Sequence, residues 1–120
     1  MTDKLVFLIT HGPDNPERVT IPFTMVTAVQ ALGTEVSIGF LGEGAALTKK
    51  GIADKIAFPG CAPLKDLITA FLAQCGKFYT CPPGLAAKHI TPEDLMEGIK
   101  VIHSGDFAKE FITAKNVLVF

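Results

Sequence analysis

The chain has 120 residues, 48% of them hydrophobic, with a mean hydropathy of +0.38. That length fits one domain over residues 1–120, able to close a core without disulfides or a structural metal. Eleven basic and twelve acidic residues leave a net charge of −1 with no basic run, so the electrostatic footprint of a nucleic-acid binder is missing. Leu5 to Ile9 is an apolar run of strand length, well short of the ~20 residues a membrane-spanning helix needs. Met1-Thr2-Asp3-Lys4 carries an acid and leads into no signal-peptide h-region, which makes the cytoplasm the expected compartment. So much apolar surface on a small sphere also predicts self-association.

Leu5-Val6-Phe7-Leu8-Ile9 is bounded by Thr10-His11-Gly12-Pro13, which suits a central parallel strand buried on both faces. Asp14-Asn15-Pro16-Glu17 reads as a helix entry, followed by Ile21, Met25, Ala28, Val29 and Leu32 at helical spacing and closed by Gly33. Pro22 should delay or bend the first turn. Val36 to Leu41 is the second strand; Gly42-Glu43-Gly44 turns the chain into a short helix, Ala45 to Lys50. Ile52 to Cys61 reads mostly as loop. Leu64, Leu67, Ile68, Phe71, Leu72 and Cys75 mark a helix ended by Gly76, and Lys77 to Thr80 is a third strand. A short helix through Leu85 and Ala87 follows Cys81-Pro82-Pro83-Gly84. Thr91-Pro92-Glu93-Asp94 has the signals of a further helix start, with Gly98 at its end. Ile99 to Ile102 is a fourth strand, Ser104 can cap a helix carrying Phe107, Phe111 and Ile112, and Val117 to Phe120 is the fifth strand. Strands alternating with helices predict an α/β fold of three layers, α/β/α, around a largely parallel five-stranded sheet.

In open parallel sheets, ligands gather at the carboxyl ends of the strands. Three loops fall there: His11 to Pro16, Gly42 to Gly44, and Cys81 to Gly84. Of the cysteines Cys61, Cys75 and Cys81, the odd count and unpaired spacing read as free thiols, not a disulfide framework. Cys81 directly follows a strand and precedes a helix start, a placement that favours a thiolate nucleophile. Pro82 and Pro83 stiffen its loop while removing two backbone donors, and Lys88 and His89 lie one to two turns on. The bland reading of Cys81 is a small buried hydrophobe. Cys75 lies on the apolar stripe of its helix and reads as core packing, Cys61 as structural. His11 can reach the same crevice, although strand-end histidines often serve only as hydrogen-bonded structure. Asp14 reads as a helix cap or binding residue, and His103 as surface. No pair among Cys61, Cys75, Cys81, His89 and His103 has zinc-ligand spacing, so no metal is expected. Gly42-Glu43-Gly44 lacks a dinucleotide fingerprint, and no C-x-x-C pair is present.

Several segments, taken in order, resemble the DsrE/DsrF-like family with its YchN-type and TusD-type members. They are Leu5 to Asn15, Ala31-Leu32-Gly33-Thr34-Glu35-Val36, Phe40-Leu41-Gly42-Glu43-Gly44, Gly76-Lys77-Phe78-Tyr79-Thr80-Cys81-Pro82, and Ile90-Thr91-Pro92-Glu93-Asp94-Leu95. The resemblance implies a five-stranded parallel sheet assembled as a trimer or hexamer. It also implies a cysteine, here Cys81, that carries sulfur and passes it to a partner such as a TusA-like carrier protein.

The expected function is therefore sulfur relay, a sulfurtransferase-like activity with Cys81 as the sulfur-carrying residue and no cofactor. His11, Asp14, Gly42, Pro82, Gly84 and Lys88 are the candidate binding residues. Two alternatives stay open: a non-catalytic oligomeric module binding a small molecule or a protein, and a thiol peroxidase or disulfide reductase with Cys75 as resolving thiol.

Overall fold

The computed structural model describes residues 3–120, so the reading of Met1 and Thr2 lies outside the described residues. These form five strands: β1 (Lys4–Ile9), β2 (Glu35–Phe40), β3 (Lys77–Thr80), β4 (Ile99–Val101) and β5 (Asn116–Val119). The helices are α1 (Pro16–Ala31), α2 (Leu64–Ala73), α3 (Pro82–Ala87) and α4 (Ser104–Thr113). Every strand pair is parallel, in the order β4-β3-β2-β1-β5. The fold is α/β, as the alternation of strands and helices requires.

Strand alternation divides the sheet into two faces. Phe7, Ile9, Val36, Ile38, Phe40 and Phe78 meet Val19, Phe23 and Val26 of α1 and Leu64, Leu67 and Phe71 of α2 in the main core. The opposite face presents Val6, Leu8 and Tyr79 to Phe107 and Phe111 of α4 in a smaller cluster. Phe107 seats where Gly39 leaves a notch: a Cβ on Gly39 would lie 2.8 Å from the Phe107 ring and 2.9 Å from Leu8. Any larger residue at position 39 would push α4 off the sheet.

Several local expectations change. Helix α1 runs unbroken through buried Pro22, whose missing N–H cannot bond the Arg18 carbonyl one turn back. Its buried stripe is Val19, Phe23, Val26 and Gln30, while Met25 and Leu32 point outward at 52% and 86% exposure. The helix is apolar nearly all round, so periodicity offered two competing stripes. The Thr91 start yields only a 3₁₀ turn, Pro92–Asp94, closed by a Thr91–Asp94 capping box. Beyond it the chain is captured as extended structure: Met96 N–H bonds the Thr48 carbonyl at 2.7 Å, and Leu95 bridges Lys49.

Cys75 is exposed rather than packed in the core. It occupies the left-handed position after α2, with φ 64°, where the Gly76 N–H bonds the Phe71 carbonyl and its own N–H bonds Leu72. The first turn of α4 begins at Ser104 itself, so His103 takes the cap position, without a side-chain cap bond among the described residues.

The 3₁₀ segment Gly42–Thr48 leaves β2 and crosses over the end of β1, where a Cβ on Gly44 would overlap the carbonyl of Ile9. Gly44→Ala is expected to destabilise the fold by about 3 kcal/mol in a denaturant melt, because backbone cannot yield as a side chain can. Cys75→Gly, which relieves a left-handed side chain and gives up little burial, is expected to stabilise by about 1 kcal/mol in the same measurement.

Candidate functional site: a thiol in an apolar cleft

The end of β3 is held from both sides. Buried Thr80 donates its hydroxyl to the Phe40 carbonyl at 3.0 Å, and its own carbonyl accepts the Ile102 N–H at 2.8 Å. Cys81 follows in extended conformation and caps α3, its carbonyl accepting the Leu85 N–H at 3.4 Å. Alternation turns its side chain to the α4 face, half-buried against the smaller cluster.

There Cys81 opens into a cleft of about 530 Å³. Pro82 and Pro83 form one wall, Phe107, Ala108 and Phe111 of α4 the other. Leu41, leaving β2, lines it as well, and His103 and Ser104 stand at the start of α4. Three adjacent strands thus deliver one residue each at their carboxyl ends: Leu41, Cys81 and His103. The amides of Ser104 and Gly105, first in α4, have no helix carbonyl to bond. Pro82 and Pro83 carry no N–H at all, so α3 offers its first amide only at Gly84.

Of the residues singled out from sequence, Cys81 and Pro82 meet in this cleft; His11, Asp14, Gly42, Gly84 and Lys88 do not line it. His11 stands at the end of β1, two strands from β3 and so about 10 Å away across the sheet. Its buried Nδ1 has no hydrogen-bond partner among the described residues. Asp14 is exposed, and the cap of α1 is Asn15, which accepts the Arg18 N–H at 3.3 Å. Gly42 supplies a left-handed turn, φ 57°, into the segment that covers β1. A Cβ on Gly84 would lie 3.1 Å from that of Ala45, so this glycine lets α3 pack on the same segment. Lys88 reaches Glu43 across that contact at 2.6 Å and is an ion-pair partner, a surface pair worth at most about 1 kcal/mol.

His103 was read from sequence as surface. It is exposed, yet it lines the cleft, because β4 lies beside β3. Strand order was the missing signal: adjacent strands place their following residues side by side.

Cys75 and Cys81 flank β3 at its opposite ends. Lys77 to Cys81 alone, four extended steps of about 3.3 Å, spans roughly 13 Å, against about 6 Å between the Cα atoms of a disulfide. In this conformation Cys75 does not reach Cys81 of its own chain to act as a resolving thiol. Among the described residues no three His, Cys, Asp or Glu side chains lie together as a metal site. No helix among them is long and apolar enough to cross a membrane.

Residues 3–120 match the sequence model of the DsrE/DsrF-like family. The chain belongs to that family. Protein MJ0760 of Methanocaldococcus jannaschii is 26% identical over 115 residues, covering 96% of this chain and 42% of that protein. The chain thus spans less than half the length of this curated relative. Among solved structures, the ychN protein of E. coli superposes with a TM-score of 0.82 at 16% identity, covering 99% of this chain and all of that one. MTH1491 of Methanobacterium thermoautotrophicum gives 0.77 at 17% identity, covering 98% of this chain and 99% of that one. BT1422 of Bacteroides thetaiotaomicron gives 0.72 at 17% identity, over 98% and 95%. At these identities the likeness establishes the fold.

Tyr79 lies two residues before Cys81 on the same face, its ring edge-on to Phe107 at 6.4 Å. Burial, then the carboxylates of Glu110 and Glu35, push its phenol above the ordinary 10.0. A folded-state value above the unfolded one means that stability holds below pH 10.0 and declines as pH rises past it. Spectrophotometric titration is expected to show Tyr79 ionising late, and Glu110→Gln to bring it part of the way back.

Proposed function

We propose that this chain carries sulfane sulfur on Cys81 and passes it to an acceptor thiol, a sulfurtransferase-like relay. The observation that carries the reading is a half-buried thiol opening into a cleft at the carboxyl end of the sheet, in a DsrE/DsrF-like chain. In the first step the Cys81 thiolate attacks the outer sulfur of a donor. The Sγ–S bond forms, the donor's S–S bond breaks, and the donor leaves with the bonding pair. In the second, an acceptor thiolate attacks the persulfide's outer sulfur and Cys81 departs as thiolate. The exchange is electron-balanced and calls for no cofactor.

His103 lines the same cleft and is the proposed group to receive the Cys81 proton or return one to a departing thiolate. A TusA-like carrier is the proposed acceptor and a reducing cytoplasm the proposed setting, where thiols stay free. Assembly into a trimer or hexamer belongs to the same proposal. It is supported by apolar side chains standing in solvent: Leu32 at 86%, Ile112 at 83%, Val119 at 63% and Met25 at 52% exposure.

Incubation with a sulfane-sulfur donor followed by intact mass measurement is expected to add sulfur to the wild type and to Cys61→Ser and Cys75→Ser. Cys81→Ser is expected to lose at least about nine-tenths of that gain, since the attacking thiol itself is removed. A Cys81→Ser protein that gains sulfur like the wild type would rule the relay out.

A further inference from the structure

The cleft at Cys81 is two-sided in its chemistry. Its walls, Pro82, Pro83, Phe107 and Phe111, carry neither charge nor side-chain hydrogen-bonding group. His103 and Ser104 also line the cleft, at the start of α4, where the Ser104 amide has no helix carbonyl to bond. Asp106 of the same turn is exposed and does not line the cleft. Volumes of about 300–1,000 Å³ are those of small-molecule sites, and 530 Å³ falls among them. The apolar walls favour an occupant with an apolar body, and the start of α4, the positive end of its dipole, favours an anionic head on that body. The thiol lines the same cleft, so an electrophilic sulfur carried on the anionic head can meet it there.

We infer that the donor for Cys81 is an organic sulfane-sulfur anion bearing an apolar group, of the thiosulfonate type R–SO₂–S⁻, in preference to inorganic thiosulfate. The inference rests on the sulfur-carrier reading of Cys81 and names its substrate class. The apolar group R packs between the prolines and the phenylalanines, and the anionic oxygens face His103 and Ser104. The Cys81 thiolate attacks the outer sulfur. The Sγ–S bond forms, the sulfur–sulfonyl bond breaks, and the sulfinate R–SO₂⁻ leaves with the bonding pair. No oxidant or reductant is consumed. Thiosulfate would undergo the same displacement with sulfite leaving, but it has no group to bury in the cleft and a second charge to desolvate.

The test compares benzenethiosulfonate, methanethiosulfonate and thiosulfate as donors to the full chain, each rate of sulfur gain being divided by that donor's rate with free cysteine. After that correction the phenyl donor is expected to exceed the methyl donor by at least about tenfold, the discrimination an apolar pocket gives for groups of this size difference. Phe111→Ser, a half-buried position whose melting temperature verifies the fold, is expected to collapse that ratio towards one. Binding of the unreactive product benzenesulfinate to Cys81→Ser, read from chemical-shift changes at Phe107 and Phe111, tests the cleft without the thiol. Loading of Cys81 by all donors at equal corrected rates overturns the inference while leaving the carrier reading intact. Sulfinate held in the cleft without loading by any donor overturns the carrier reading instead.

Discussion

Connections between parallel strands wind right-handed, and that handedness decides which face of a sheet each helix covers. Here β1, β2 and β3 are added in one direction, so α1 and α2 fall on one face and build the main core together. The chain then returns from β4 at one edge to β5 at the other, and the same rule puts α4 on the opposite face. A helix is about 10 Å wide, whereas the outer strands of five stand about 19 Å apart. One ten-residue helix cannot roof that face, and the cleft lies beside its first turn.

The height of α4 above the sheet follows from a single missing side chain. Phe107 enters the notch at Gly39, meets Leu8 below and turns its edge to Tyr79. Glu110, one turn on, reaches Lys4 of β1 at 3.2 Å and fixes the helix's direction. With both anchors on the inner strands, the start of α4 leans towards the exits of β3 and β4. Cys81 and His103 share a cavity because of residues neither of them touches in sequence. At the other end of the row, the 42–48 segment closes over β1, and so His11 faces protein instead of the cleft.

What was legible in the sequence is what local physics determines. The run Leu5 to Ile9 is apolar at every position, which only a strand buried on both faces explains, and Asn15-Pro16 marks a helix entry whatever follows. Where two local readings had similar merit, tertiary contacts chose. Helix α1 carries enough apolar residues for two stripes, and the strand residues opposite selected Val19, Phe23 and Val26. Thr91-Pro92 could have opened a full helix, but hydrogen bonds from the Lys50 N–H to the Asp94 carbonyl and from the Met96 N–H to the Thr48 carbonyl held the following residues extended. The site divided in the same way. Cys81 was visible as a thiol at a strand's end; its companions were hidden, because Phe107 and His103 belong to a helix more than twenty residues on, brought near only by strand order.

The prolines after Cys81 change how its chemistry must be understood. A helix start normally offers several free amides to an anion, but α3 is one and a half turns long and opens with two residues that have none. What Pro82 and Pro83 supply is shape: rigid rings that turn the approach to the thiol into a hydrocarbon wall. Sulfur suits such a wall, because it is polarizable and packs favourably beside aromatic rings such as Phe107 and Phe111. On the proposed carrier reading, a persulfide on Cys81 would stand against that wall. Small thiols diffusing in water would meet it less often than a partner shaped to enter the cleft. An amide-rich loop would bind anions without regard to their bodies; a proline-rich one makes the body of the donor or acceptor the basis of selection.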